Sequence, residues 1–245
     1  MTDPQKASSA ATPPQLPTEQ TAADKPAYDP AWYTWSSFFR ILTNRAAPDD
    51  LARYVEARSI AQEAEHCRRC DAWRDWLLEY SPTVRFLDSK IAQVGGPKMD
   101  AANIRCRRCP SLYGRKVGAF DGEYGILLCA NHLRSRSHTE DVLSHEMVHA
   151  YDYLRFKWDK RNLKHSACAE IRATMLSGEC RWAREFFDNH QWKFTGHFQD
   201  CVRRQAILSL KKHPLCDGDE TAVKTVNSVW GSCFSDTRPF DEIYR

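Results

Sequence analysis

The sequence lacks any long apolar run. Nothing in its 245 residues approaches the roughly eighteen consecutive apolar positions that read as a membrane-spanning helix, so none is predicted. Apolar residues are scarcest at the start. Beyond Met1 itself, Leu16 is the one large apolar side chain from Met1 to Ala27. A stretch with no apolar h-region is not a secretory signal. Its only basic residues are Lys6 and Lys25, opposed by Asp3, Glu19 and Asp24, so it is not a convincing mitochondrial presequence either. Rich in Ala, Pro, Thr and Gln, residues 1–27 cannot bury enough surface to offset ordering, and a disordered tail is expected there. A strong charge of one sign is also missing. Lys and Arg total 35 against 32 Asp and Glu, a net charge of +3, which carries no polyanion signature; no nucleic-acid partner is expected. Finally, neither Pro nor Gly occurs between Thr139 and Asp159.

That uninterrupted stretch contains His145-Glu146-Met147-Val148-His149, an H-E-x-x-H pattern. On an α-helix, positions i and i+4 share a face, so both imidazoles can address one ion. Glu146, one residue on, sits at the edge of that face and can take a proton from a water that the metal acidifies. Thr139 can cap the helix, and Glu140 and Asp141 place negative charge where the dipole is positive. Val142, Met147, Val148, Tyr151 and Leu154 supply apolar positions. The pattern predicts a helix from Glu140 to Trp158.

Elsewhere, order is expected from Tyr28. Trp32, Tyr33, Trp35, Phe38, Phe39, Ile41 and Leu42 form an aromatic and aliphatic cluster, read either as a segment packed on the body or as an exposed face for a membrane or partner. Asp50 to Tyr80 reads as helical, Ser81-Pro82 interrupts it, and Thr83 to Ala92 resumes. Ile104 to Cys106 reads as extended. Val117 to Phe120 and Tyr124 to Cys129, joined at Asp121-Gly122-Glu123, read as a β-hairpin. Its second strand, Ile126 to Cys129, is the expected edge against which an extended peptide substrate would pair. Helices are also expected over Ala167 to Asn189, capped by Ser166; over Gly196 to Lys212; and over Asp219 to Trp230, stopped by Gly231.

A catalytic zinc needs three protein ligands and one open position. Glu170, in the first turns of the next helix, has a separation from His149 that suits two His and a Glu; His165 and Asp152 are its rivals, and Asp152 can instead orient a ligand imidazole. His132 is read as a hydrogen-bonded structural histidine. The ten cysteines include two C-x-x-C pairs, Cys67/Cys70 and Cys106/Cys109, which could hold a second zinc. The remaining six are dispersed singly, which suits disulfides in an oxidising compartment, the preferred reading.

Three segments carry a resemblance: His145 to Asp152, Ala169-Glu170-Ile171-Arg172-Ala173 and Ser177-Gly178-Glu179-Cys180. With Gly125 to Asn131 and the early C-x-x-C pairs, they resemble the mitochondrial intermembrane-space metalloproteases that process ATP synthase subunit 6. The resemblance implies a mainly helical α+β, zincin-like fold with a small β-hairpin before the motif helix. Residues 28–245 would form one such domain with an N-terminal helical elaboration. It implies one zinc per chain, held by His145, His149 and Glu170 beside Glu146 as base. It further implies peripheral attachment to the inner membrane on the intermembrane-space side, removal of the N-terminal leader of subunit 6, and a separate chaperone-like role in assembling the membrane sector of the synthase. The cysteine content agrees with import trapped by oxidative folding. Two alternatives stand beside this: a non-enzymatic assembly factor, and a nuclear zinc protease acting on DNA-bound proteins in which the C-x-x-C pairs form a zinc ribbon.

Overall fold

The computed structural model describes residues 32–110, 116–181 and 197–241; the expected disordered tail lies outside them. The chain divides into two compact units, Met1–Ala57 and Arg58–Arg245. In the first, α1 (Trp35–Leu42) is capped by Thr34, whose side chain accepts from the Ser37 N–H. α2 (Pro48–Ala61) opens on Asp49 and Asp50, and the Asp50 carboxylate accepts from the Ala47 N–H and from Arg40, each at 3.0 Å.

The second unit holds the motif. The helix expected over Asp50 to Tyr80 is divided at Gln62, whose φ of −99° and ψ of 5° separate α2 from α3 (Glu63–Tyr80). Neither Gly nor Pro marks that break. Ser81 caps α4 (Pro82–Gln93), where Pro82 fits the first turn because its missing N–H is not needed there. Three short strands follow: β1 (Ile104–Arg107), β2 (Gly118–Asp121) and β3 (Gly125–Cys129). Their order is β1-β3-β2, with β1 parallel and β2 antiparallel to β3. The hairpin forms where the sequence predicts it, but β3 is central. The edge strands are β1 and β2, so Ile126 to Cys129 cannot offer the free edge expected of it: both its sides are already paired. Gly125 is required at the turn, because its φ is +81° and a Cβ would stand 2.3 Å from the Asn103 carbonyl oxygen.

α5 (Arg136–Arg155) carries H-E-x-x-H. Its cap is Ser135, which accepts from the His138 N–H, so the helix begins ahead of Thr139; it ends where Phe156 turns extended, short of Trp158. α6 (Leu163–Ser177) is capped by Asn162 rather than Ser166, and Gly178, with φ +93°, stops it; residues 182–189 of the helix expected there lie outside the described residues. Among the described residues, α7 (His197–Leu210) and α8 (Asp219–Phe234) are the last elements, and α8 runs through Gly231 instead of stopping there. Fully buried Leu77, Ile91, Ile104, Leu128, Leu143, Met147, Ile171 and Leu210 join these helices and strands in one core. Each such side chain contributes about 1.5–3 kcal/mol on burial.

Disulfides pin the framework. Cys70–Cys106 ties α3 to β1, Cys109–Cys129 ties the segment after β1 to the end of β3, Cys168–Cys233 ties α6 to α8, and Cys180–Cys201 ties the turn after α6 to α7. Cys67 and Cys216 are free thiols. Three of the four C-x-x-C cysteines, Cys70, Cys106 and Cys109, are thus taken up in bridges while Cys67 stays free, and the four-thiolate zinc ribbon does not form. Beyond α8, the Arg172 guanidinium donates to the backbone carbonyls of Asp236 and Arg238, and Phe240 packs on Phe86 with ring centroids 4.7 Å apart, so the final segment lies over the body as expected.

Candidate metal centre

α5 brings His145 and His149 onto one face, and α6, packed beside it, brings Glu170 opposite them. The two Nε2 atoms are 3.1 Å apart. Glu170 Oε2 lies 3.6 Å from the Nε2 of His145, and its Oε1 lies 3.7 Å from that of His149. Three electron-pair donors therefore converge on one point. A tetrahedral ion with bonds of about 2 Å spaces its ligand atoms about 3.3 Å apart, near the separation of the two imidazole nitrogens and of each from its nearer Glu170 oxygen; taken as one atom per residue, the three donors lie within 4.8 Å of one another. Two imidazole nitrogens face to face beside a carboxylate are best satisfied by a cation.

His145 and Glu170 each have a polar partner, and His149 has an aromatic one. Glu179 Oε1 lies 3.2 Å from His145 Nδ1, which favours the tautomer whose Nε2 lone pair faces the ion. The left-handed turn at Gly178 places Glu179 there, and Cys180–Cys201 clamps the next residue. The Ser209 hydroxyl, on α7, donates to Glu170. Trp158 stacks on His149 at 6.3 Å with an interplanar angle of 17°.

Electrostatics separate the roles. Burial pushes the Glu146 carboxyl up to about 7, against the pull of His145. Burial also favours the neutral ring of His149 and lowers its pKa to about 4. Glu170 is buried too, but hydrogen bonding to His145 and the charge of the two rings overcome that and hold it at about 2. For His145 burial favours the neutral ring, yet the carboxylates of Glu179, Glu170 and Glu146 prevail and raise its pKa well above 6.5.

Glu146 is buried against β2. Its carboxylate accepts from the Phe120 backbone N–H, and a Cβ on Gly118 would stand 2.9 Å from its Oε1. The helix carrying the carboxylate can come this close only because residue 118 has no side chain. These residues line a cleft of about 450 Å³ with Lys116, Val117, Trp158, Leu208 and His213.

His145, Glu146, His149 and Glu170 all reach this cleft. The rival ligands do not. Exposed His165 accepts from the Asp159 N–H, and Asp152 is held by Arg172 through two buried bonds of 2.8 and 2.9 Å, so it joins α5 to α6 and orients no imidazole. His132 Nδ1 lies 2.5 Å from the Lys116 carbonyl oxygen, a structural contact. Glu179 was not singled out by spacing. Its sequence signals are a carboxylate directly after a helix-ending glycine and its place in the Ser177 to Cys180 segment that carries the resemblance.

Residues 68–241 match the Peptidase M76 family. The chain is 56% identical over 218 residues to "Mitochondrial inner membrane protease atp23" of Neosartorya fischeri, covering 89% of this chain and 90% of that one. It is 52% identical over 219 residues to the protein of that name from Coccidioides immitis, and 48% identical over 238 residues to that from Neurospora crassa, of which it covers 81%. No solved structure matches.

Proposed function

The chain belongs to the peptidase M76 family and is a metallopeptidase of the mitochondrial inner membrane, and from that premise we propose that it is a zinc endopeptidase that removes the N-terminal leader of ATP synthase subunit 6. In this reading His145, His149 and Glu170 hold the zinc and Glu146 is the base. The convergence of those three donors on one point beside a buried fourth carboxylate carries it. When bound, the ion polarises a peptide carbonyl and makes water a stronger acid.

The chain's own residues do the rest. Glu146, protonated only part of the time near neutral pH, takes a proton from the attacking water and returns it to the departing amine. The Phe120 N–H holds its carboxylate in place, and Glu179 and Ser209 hold His145 and Glu170. Because the Cys129 N–H bonds the Val117 carbonyl, the alternation along the ladder turns the N–H and C=O of Gly118 and Phe120 away from β3. An extended substrate would pair with the outward groups of Gly118.

Placement on the intermembrane-space side is supported by the four disulfides, which suit an oxidising compartment. A chaperone-like part in assembling the membrane sector of the synthase rests on the family resemblance, and would not use Glu146. The test is direct. Purified protein is incubated with the subunit 6 precursor in detergent. Removal of the leader, abolished by chelator and restored by zinc, is expected; an intact precursor, with other unfolded proteins cleaved, would exclude this substrate.

A further inference from the structure

α1 is built inside out. Trp35, Phe38, Phe39 and Leu42 stand at i, i+3, i+4 and i+7, the spacing of a stripe that normally faces a core. Here they are 76, 36, 53 and 67% exposed, and the buried residue of the helix is the polar Ser37. The three rings are gathered, with centroids 5.6 to 6.1 Å apart. Leu51 and Val55 of α2 are also exposed. No carboxylate occurs from Trp32 to Pro48; Arg40 is paired with Asp50 of α2, and Arg45 is exposed beyond the end of α1. The relatives are named inner-membrane proteases, yet among the described residues no helix is long and apolar enough to cross a membrane.

We propose that α1 is the element with which the protein rests on the bilayer. Trp35, Phe38, Phe39 and Leu42 enter the boundary between headgroups and acyl chains, and Arg45 lies at the level of anionic phospholipid headgroups. Aromatic rings favour that depth, and arginine stems can lie along apolar surface while their heads stay in water. Thr34 already caps the helix, so little ordering is left for the membrane to impose. A stripe of four residues binds reversibly, and attraction to anionic lipid adds to it. The proposal rests on the inner-membrane location and not on the peptidase reading.

The test uses the full chain and sedimentable vesicles of phosphatidylcholine, with and without phosphatidylglycerol. Wild type is expected to co-sediment, more strongly with the anionic vesicles. The double variant Phe39→Ser/Leu42→Ser should partition at least about tenfold less, since two apolar side chains no longer leave water. Its cleavage of a soluble peptide should be unchanged. A conservative variant guards against misfolding: brominated phosphatidylcholine should quench wild-type tryptophan fluorescence more than that of Trp35→Phe. Failure of wild type to sediment, equal sedimentation of the double variant, or equal quenching in Trp35→Phe would overturn the proposal. So would binding only to vesicles that retain inner-membrane proteins, which would make the occupant a protein.

Discussion

Oε1 of Glu179 lies 3.2 Å from Nδ1 of His145, while Nε2 of the same ring faces His149. One imidazole is thus held between a carboxylate behind it and the metal position in front. Removing the carboxylate should loosen the ligand. In Glu179→Ala, zinc affinity at alkaline pH should fall about 10–100-fold, measured by competition with a chromophoric chelator. The pH profile gives a second readout. Glu179 leads the group of carboxylates that overcome burial and raise the His145 pKa well above 6.5, so in wild type a proton competes with zinc through neutral pH. Wild-type affinity should fall about tenfold per unit as pH drops below that raised pKa. Without Glu179 the pKa is lower, so the fall begins at lower pH and the two curves converge. Parallel curves would show that Glu179 does not bear on His145.

Gly118 should tolerate no side chain. Its Cβ would meet Val142 Cγ1 at 2.8 Å and Glu146 Oε1 at 2.9 Å, so Gly118→Ala must displace the base or the strand. Overpacking of this kind costs about 1–3 kcal/mol. Misplacement of a catalytic group by about 1 Å costs on the order of a hundredfold in rate. Gly118→Ala should therefore lose roughly tenfold to a hundredfold in kcat and keep its zinc. Unchanged kcat would mean that Glu146 is not held against β2 during turnover.

The site was legible to different depths. His145, Glu146 and His149 are expected together from helical periodicity, a local signal; Glu170 is expected from ligand count with His165 and Asp152 as rivals, and the structure brings Glu170, not those two, to the histidines. The hairpin was legible because its signal is local too. Strand order was not: β1 pairs with β3 across a segment of sequence that carries no trace of it, so the sequence alone puts β3 at the edge that β2 provides. Helix limits depended on which of several capping residues won. Ser135 and Asn162 prevailed over Thr139 and Ser166, and the chain broke at Gln62 without a breaker while α8 passed through Gly231. Glu179 was hidden because its place depends on the left-handed turn at Gly178, a three-dimensional event.

The bridges should be required for the metal centre as well as for stability. Cys180–Cys201 anchors the residue after Glu179 to α7, the helix that carries Ser209. Closing a loop of 21 residues contributes about 3 kcal/mol in the chain-entropy account. The Cys180→Ser/Cys201→Ser variant should melt at lower temperature and bind zinc more weakly. Alkylation of unreduced protein followed by mass spectrometry should label Cys67 and Cys216 and leave the other eight cysteines blocked. Labelling of Cys70, Cys106 and Cys109 that zinc suppresses would instead indicate a thiolate metal site.

The central claim is that His145, His149 and Glu170 hold the metal and Glu146 performs the chemistry. Zinc per chain, measured by elemental analysis alongside cleavage of one peptide, tests it across wild type, Glu146→Gln and Glu170→Ala. The account predicts about one zinc per chain in wild type and in Glu146→Gln, cleavage in wild type alone, and zinc well below one in Glu170→Ala, whose site has lost a ligand. Cleavage by Glu146→Gln, or full zinc in Glu170→Ala, would contradict it.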